Sequence, residues 1–394
     1  MIHRILALVG LTVVALAGCS TPKLKPATLP DLRPTAALSQ VWSVDVPKAP
    51  SGGSGEGPFA PAASASLAVV AAPTGEVVAY RLESGQQAWR ASLGTALSAG
   101  VGYGGGSAEG LFAVITRDGE LVLIDSKGVT RWRVTIGGVS HERPALSGGQ
   151  VVVRLADNRL AGFDLETGSR RWVLQRTMPS LALHGQSGVR GAPSSAEASP
   201  APSLGSVDAV VTMPGGRLVW LNAATGAVRW ESQVATPKGS NEVERIADLL
   251  GGAAVVEDRV CVAGYQNTIA CLESENGRVL WRKNWLPVLP VAADASLVFG
   301  IDASSRLVAF DSKTGEERWK SEAFLLRKLS TPVSFGASVW TADFEGYLHG
   351  LSRESGALVG RVRLDGGRPS GPMLLTRAGL LVQTEGGRLS LLKP

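Results

Sequence analysis

Histidine and cysteine are scarce in this chain, four and three in 394 residues, and their scarcity excludes several chemistries at once. Beyond the first twenty residues the histidines are His141, His184 and His349, scattered with no metal-ligand spacing between them, so no metal site is expected. Neither a Gly-x-Ser-x-Gly nucleophile turn nor a His-Glu-x-x-His pair is present. Charge of one sign is lacking too. The 39 Lys and Arg stand against 34 Asp and Glu with no long like-charged run, whereas a nucleic-acid surface needs basic residues clustered on one face. No apolar run after residue 18 approaches the roughly 20 residues that cross a bilayer. Helix-like periodicity is sparse and glycine abundant, 48 residues, which points to an all-β fold.

The first residues, "MIHRILALVGLTVVALAGCS", are of a different kind: a positive start at Arg4, an apolar run to Leu16, then Leu-Ala-Gly-Cys. Residues 1 to 18 read as a secretory signal peptide, too short in its apolar part to span. The ending resembles the bacterial lipobox, which implies cleavage before Cys19 and acylation of that cysteine. Several buried acyl chains, at about 0.8 kcal/mol per methylene, anchor stably where one would not. Ser20 rather than Asp after the cysteine implies sorting to the outer membrane, facing the periplasm. Loss of residues 1 to 18 removes only Arg4 among the charges, leaving 38 basic against 34 acidic residues. Residues 19 to 39 read as a lipidated tether and 40 to 394 as the folded body.

That body repeats itself. "YRLESGQQAW", "IDSKGVTRW", "FDLETGSRRW", "LNAATGAVRW", "LESENGRVLW" and "FDSKTGEERW" end at Trp89, Trp132, Trp172, Trp230, Trp281 and Trp319, each tryptophan four residues after a glycine. "LSRESGALVG" repeats the spacing with Gly360 in the tryptophan's place. Trp42, in "QVWSVDV", lacks the preceding strand and turn, while the chain ends on "EGGRLSLLKP", an inner strand with neither after it. From Trp42 to Gly360 the steps are 47, 43, 40, 58, 51, 38 and 41 residues. Steps near forty with period-2 alternation, as in "RLVAFD" at 306 to 311, predict an eight-bladed β-propeller of four-stranded blades, closed by strands from both ends of the chain. Asp311, Asp164 or Asn222 is expected to open each turn by bonding its own backbone, glycine to supply φ > 0, and the tryptophan to wedge between blades.

Two steps are long. The 58-residue step contains "GQSGVRGAPSSAEASPAPSLGS", a Gly/Ser/Pro/Ala stretch read as a flexible excursion. The 51-residue step contains "TPKGSNEVERIADLLGG", where Val243, Ile246, Leu249 and Leu250 follow helical spacing and Asn241 could cap the start. The glycine-rich stretches at 51 to 66 and 100 to 110 read as loops without chemistry. Cys261 and Cys271 lie on the two arms of "VCVAGYQNTIAC", and two readings stay open. An odd loop count sets them opposite for a disulfide; alternatively Cys271 only fills the small-residue slot held elsewhere by Ala79, Gly162, Ala309 and Gly350.

The repeated unit resembles the pyrroloquinoline-quinone repeat of quinoprotein dehydrogenases. As a family they hold their cofactor against a disulfide of adjacent cysteines, with a calcium ion beside it. Cys19, Cys261 and Cys271 include no adjacent pair, so the resemblance implies the fold without cofactor or enzyme activity. A fuller resemblance, over the whole chain, is to the scaffold lipoproteins of the outer-membrane β-barrel assembly machinery. It rests on "MPSLALHGQS", "GSNEVERIADL" and "EGYLHG" in their order among the repeats. It implies a non-enzymatic scaffold that binds the periplasmic domains of the barrel-inserting subunit and helps hand over unfolded outer-membrane proteins. The implied docking residues are Leu181, Leu183, His184, Glu242, Glu244, Arg245 and Asp248. His184 stands where relatives often carry Arg, and Leu250 where they carry a second acid. Spacing alone would equally place Leu181 and Leu183 in a blade core, and an interaction module for a different envelope partner remains the other class.

Overall fold

A computed structural model describes residues 25–48, 59–104, 110–177, 179, 181–183, 188–192, 208–265 and 268–394. Within them thirty-two strands form eight antiparallel four-stranded sheets, and no helix occurs among the described residues. Blade 1 runs Ala62–Ala63, Leu67–Ala71, Glu76–Arg81 and Gln87–Ser92 in spatial as in sequence order, and blades 2 to 7 repeat this. In blade 8 the strands Leu374–Thr376, Gly379–Gln383 and Arg388–Lys393 come from the C-terminal end, and the fourth, Ser39–Asp45, from the N-terminal end. That closing pair is antiparallel, with Trp42 opposite Leu391 and a bulge at Gln40/Trp42. The first strands neighbour one another around the axis, and that of blade 8 meets that of blade 1.

The tryptophan and the glycine of the repeat meet across the blade boundary. Each indole lies on the motif glycine of the following blade: Trp42 on Gly85, Trp89 on Gly128, Trp132 on Gly168, Trp172 on Gly226, Trp230 on Gly277, Trp281 on Gly315 and Trp319 on Gly356. Its Nε1–H donates to a carbonyl of the same turn, from Leu82 for Trp42 to Arg353 for Trp319, at 2.7 to 3.0 Å. The glycine is therefore held twice over. Its φ of about +71° at Gly315 is left-handed, and a Cβ there would sit 2.6 Å from the Trp281 ring. The residue that opens the turn behaves as its side chain dictates: Asp311 Oδ1 accepts from the Lys313 and Thr314 N–H groups, and Asn222 Oδ1 from Ala224 and Thr225. At Asp164 the same bond from Thr167 N–H, with the Arg171 guanidinium, holds the carboxyl down at about 2. Asn222 makes the turn without charge, so hydrogen-bond geometry is what the turn requires.

Closure of the ring explains Gly360. The blade made from both ends of the chain has no turn between its third and fourth strands, so a tryptophan at 360 would have no glycine to rest on. Trp340, two strands inward in the same blade, instead lays its ring over its register partner Gly350 and over Gly360, which pairs with Gly350. A Cβ at 360 would also meet the Ala36 carbonyl at 2.4 Å. Residues 35 and 36 donate their N–H groups to the Val359 carbonyl, filling the outside of this boundary.

Three expectations are corrected. The stretch at 241 to 250 is not helical: it is one hydrogen-bonded turn, Arg245 N–H to Glu242 O and Ile246 N–H to Val243 O, followed by extended chain. Asn241 does accept from Glu244 N–H, but Val243 is exposed while Leu249 and Leu250 are both buried, so no apolar helix face exists. The low-complexity excursion contains Gly188–Ala192, the first strand of blade 4. Likewise Ala62–Ala63 and Gly102–Tyr103, inside stretches read as loops, are first strands. These strands crowd the axis. A Cβ at Gly102 would lie 2.1 Å from the Pro144 carbonyl, and one at Gly188 2.7 Å from Gly252, so crowding there requires glycine.

A substitution set separates backbone conformation from docking. Gly336→Ala, with φ +64° and open space, is expected to cost about 1 to 2 kcal/mol. Gly315→Ala should cost clearly more because the indole must also move. Gly360→Trp, which restores the repeat's own residue, should lower the guanidinium midpoint; a rise would contradict the account of closure given above.

Candidate functional site

Loops joining one blade's fourth strand to the next blade's first strand, and hairpins between second and third strands, emerge on one face of the ring, the loop face. Two of these blade-to-blade connections, residues 175 to 187 and 234 to 253, flank blade 4, while the rest of the 58-residue step, between the first and second strands of blade 4, lies outside the described residues. Residues 175 to 183 arrive from blade 3, anchored at their base by Arg176 to Glu231 at 3.2 Å and by Asn158 Nδ2–H to the Thr177 carbonyl. Residues 234 to 253 leave blade 4 towards blade 5.

Asp248 joins these two loops. It is 1% exposed, and its carboxylate accepts from Leu183 N–H through Oδ2 and from Gly215 N–H through Oδ1 at 2.7 Å, while its carbonyl accepts from Tyr265 N–H at 2.8 Å. A buried carboxylate with charge-assisted backbone bonds is a strong positional constraint. Asp248 is therefore not available to a partner, and it fixes the two loops side by side. The leucines divide. Leu181 is 40% exposed, whereas Leu183 is half-buried against the cluster of Leu250, Cys261, Cys271 and Trp281. They lie outside any strand, so their spacing of two puts them on no common face. His184 lies outside the described residues, as does Cys19.

On the second loop Glu242, Glu244 and Arg245 are all exposed. Glu244 binds the Ser240 N–H and hydroxyl and the Asn241 amide, and the Ser240 N–H above all holds its carboxyl below the ordinary range. Arg245 donates through Nε to the Gly239 carbonyl at 3.1 Å. Both charges are thus partly engaged in shaping their own turn. At its tip stands Val243, 69% exposed. Sequence reasoning assigned Val243 to a helix face; the polar residues on either side, Glu242 and Glu244, were the signal that it sits at a turn apex. Each of the two tied loops thus carries one exposed apolar side chain, Leu181 on the first and Val243 on the second, the latter flanked by Glu242, Glu244 and Arg245.

Nothing at this surface resembles a reaction centre. Among the described residues no group of three His, Cys, Asp or Glu could hold a metal ion. Buried ionisable groups pair up elsewhere, Arg154 with Glu142 in blade 3 and, in blade 7, His349 Nε2 at 3.0 Å from Asp343 Oδ2, which also accepts from Arg327 Nε. Burial pushes the His349 imidazole below its usual value. His349 and Asp343 are both fully buried beneath Phe324, so the pair can neither bind nor exchange a proton with a substrate, and its role is packing.

Cys261 and Cys271 are register partners, since Gly264 pairs with Thr268 and leaves three residues between, and their sulfurs are bonded. The disulfide is buried in the cluster that includes Leu250 and Trp281, against which the half-buried Leu183 packs.

The family model for the outer membrane protein assembly factor BamB matches residues 73–321. A BamB from Bordetella pertussis is 34% identical over 387 residues, 97% of this chain and 95% of that relative. The chain belongs to the BamB family. The solved BamB of Moraxella catarrhalis, at 23% identity, superposes with a TM-score of 0.75 over 91% of this chain and all of that one. The quinohemoprotein alcohol dehydrogenase of Comamonas testosteroni, 12% identical, superposes at 0.63 over 90% of this chain and 76% of its own. At those identities both structures speak to the fold alone.

Closing the loop between two cysteines ten residues apart is worth about 3 kcal/mol. The doubly substituted Cys261→Ala/Cys271→Ala protein is expected to lose that much in denaturation. Thiol reagents applied to the unreduced, denatured wild type should find neither cysteine free.

Proposed function

We propose that this BamB-family chain is an outer-membrane protein assembly factor without enzymatic activity. Its acylated Cys19 holds it to the periplasmic side of the outer membrane. The loop surface beside blade 4 binds the periplasmic domains of the barrel-inserting subunit, and the chain assists the folding and insertion of unfolded outer-membrane proteins. The family's name supplies the assembly role. The observation that supports the site is that the buried Asp248 carboxylate ties together two loops, one carrying the exposed Leu181 and the other the exposed Val243. Exposed apolar residues held in place lose little entropy on binding, which suits the centre of a small interface.

Leu181→Ser/Val243→Ser should abolish co-purification of the barrel-inserting subunit from detergent-solubilised envelopes while leaving the melting temperature nearly unchanged. Truncating one such anchor costs about 2 kcal/mol or more of binding. Leu183→Ser should instead destabilise the fold. A stable double variant that still co-purifies the subunit removes these loops from the interface.

Supplied with pyrroloquinoline quinone and calcium, the purified protein should oxidise no alcohol or sugar. The bonded cysteines are ten apart and buried in a blade boundary, leaving no adjacent pair for a quinone. A saturable quinone-dependent activity would overturn the scaffold reading.

A further inference from the structure

The segment before the first strand is bound to the propeller. Ala27 N–H donates to the Leu325 carbonyl at 2.9 Å, and the Ala27 carbonyl accepts from Arg327 Nη1 at 3.0 Å. Arg327, 4% exposed, is itself fixed by Asp343 and Glu345. Leu29 packs against the core between blades 6 and 7, Thr35 and Ala36 bond Val359, and Leu38 is buried between blades 7 and 8. Pro26 forms one wall of an open cleft of about 620 Å³ on the loop face, with Leu326, Lys328, Phe344, Gly367 and Arg368. The chain therefore reaches the ring on the loop face at blade 7, with Ala27 and Leu29 at its boundary with blade 6 and Pro26 towards blade 8, which in a ring of eight is three blades round from blade 4.

We propose that residues 25 to 38 are a fixed strap that orients the lipid-anchored protein, so that the rim of blades 7 and 8 faces the bilayer and the Leu181/Val243 surface faces away from it. The proposal rests on the acylation of Cys19 given above. Reach decides the matter. A free tether from residue 19 to 39 would extend 20 residues, about 70 Å, and allow any orientation. With Ala27 held, only eight residues, about 28 Å, separate the anchor from the ring. The partner of the blade 7 and 8 rim is thus the membrane surface, and exposed Lys25 and Lys328 beside the strap's exit suit anionic headgroups.

The test uses the full lipoprotein in phosphatidylethanolamine/phosphatidylglycerol vesicles carrying a headgroup quencher. Single fluorophores are placed through Asp365→Cys, on the exposed loop between blades 7 and 8, or Val243→Cys; the bonded Cys261 and Cys271 do not react. Quenching at 365 should exceed that at 243 at least threefold. Ala27→Pro/Leu29→Asp, which alters the strap and not the propeller, should bring the two within twofold without lowering the melting temperature by more than a few degrees. In micelles the amides of Ala27, Thr35 and Ala36 should exchange at least tenfold slower than unstructured chain. Equal quenching at the two sites, or unprotected strap amides, overturns the proposal. Failure of the wild type to stay with vesicles would instead overturn the anchor itself, and amide exchange separates the two failures.

Discussion

The docking of an indole on a left-handed glycine in the neighbouring blade is the contact on which the ring depends. It occurs seven times, from Trp42 on Gly85 to Trp319 on Gly356, and each instance couples a packing contact to a hydrogen bond. The glycine supplies both a conformation that L residues avoid and a surface flat enough for the ring. Because the turn that offers the glycine also positions the next tryptophan four residues on, each boundary sets up the following one. The geometry propagates around the ring as stacking does in other repeat proteins.

A ring built this way must close where the repeat is interrupted. Closure with strands from both ends of the chain seals blade 8 but removes one turn, and with it one docking site. The structure answers at blade 7: glycine replaces tryptophan at 360, Trp340 covers the gap from within, and residues 35 and 36 cover it from outside. The strap is thus part of the solution to closure. One constraint accounts for a missing aromatic, a displaced aromatic and an ordered leader.

The repeat leaves the loop face free to vary, since the docking turns lie on the opposite face. Two long insertions beside blade 4 exploit that freedom. Their placement is not loose: the buried Asp248 carboxylate binds backbone from both neighbours, and the Cys261–Cys271 disulfide stiffens the blade beneath. For the docking proposed above, rigidity of this kind matters because it leaves little to order on binding.

The all-β class, the count of eight blades, the closure and the role of the motif glycine and tryptophan were all legible along the chain. These are written in local spacing, and spacing within a hairpin fixes register. Family membership was legible in three short loop motifs. The innermost strands Gly102–Tyr103 and Gly188–Ala192 could be read only in the folded ring, where neighbouring blades crowd the glycines at 102 and 188. The same holds for Asp248, an acid among acids in the sequence, whose burial follows from partners at Leu183 and Gly215, far away along the chain. It holds too for Leu181 and Leu183, alike in the sequence, of which one faces solvent and the other blade 5. Periodicity reports which residues share a strand face. It carries no information on what a loop meets after crossing a blade boundary, because that contact is set by long-range closure of the ring.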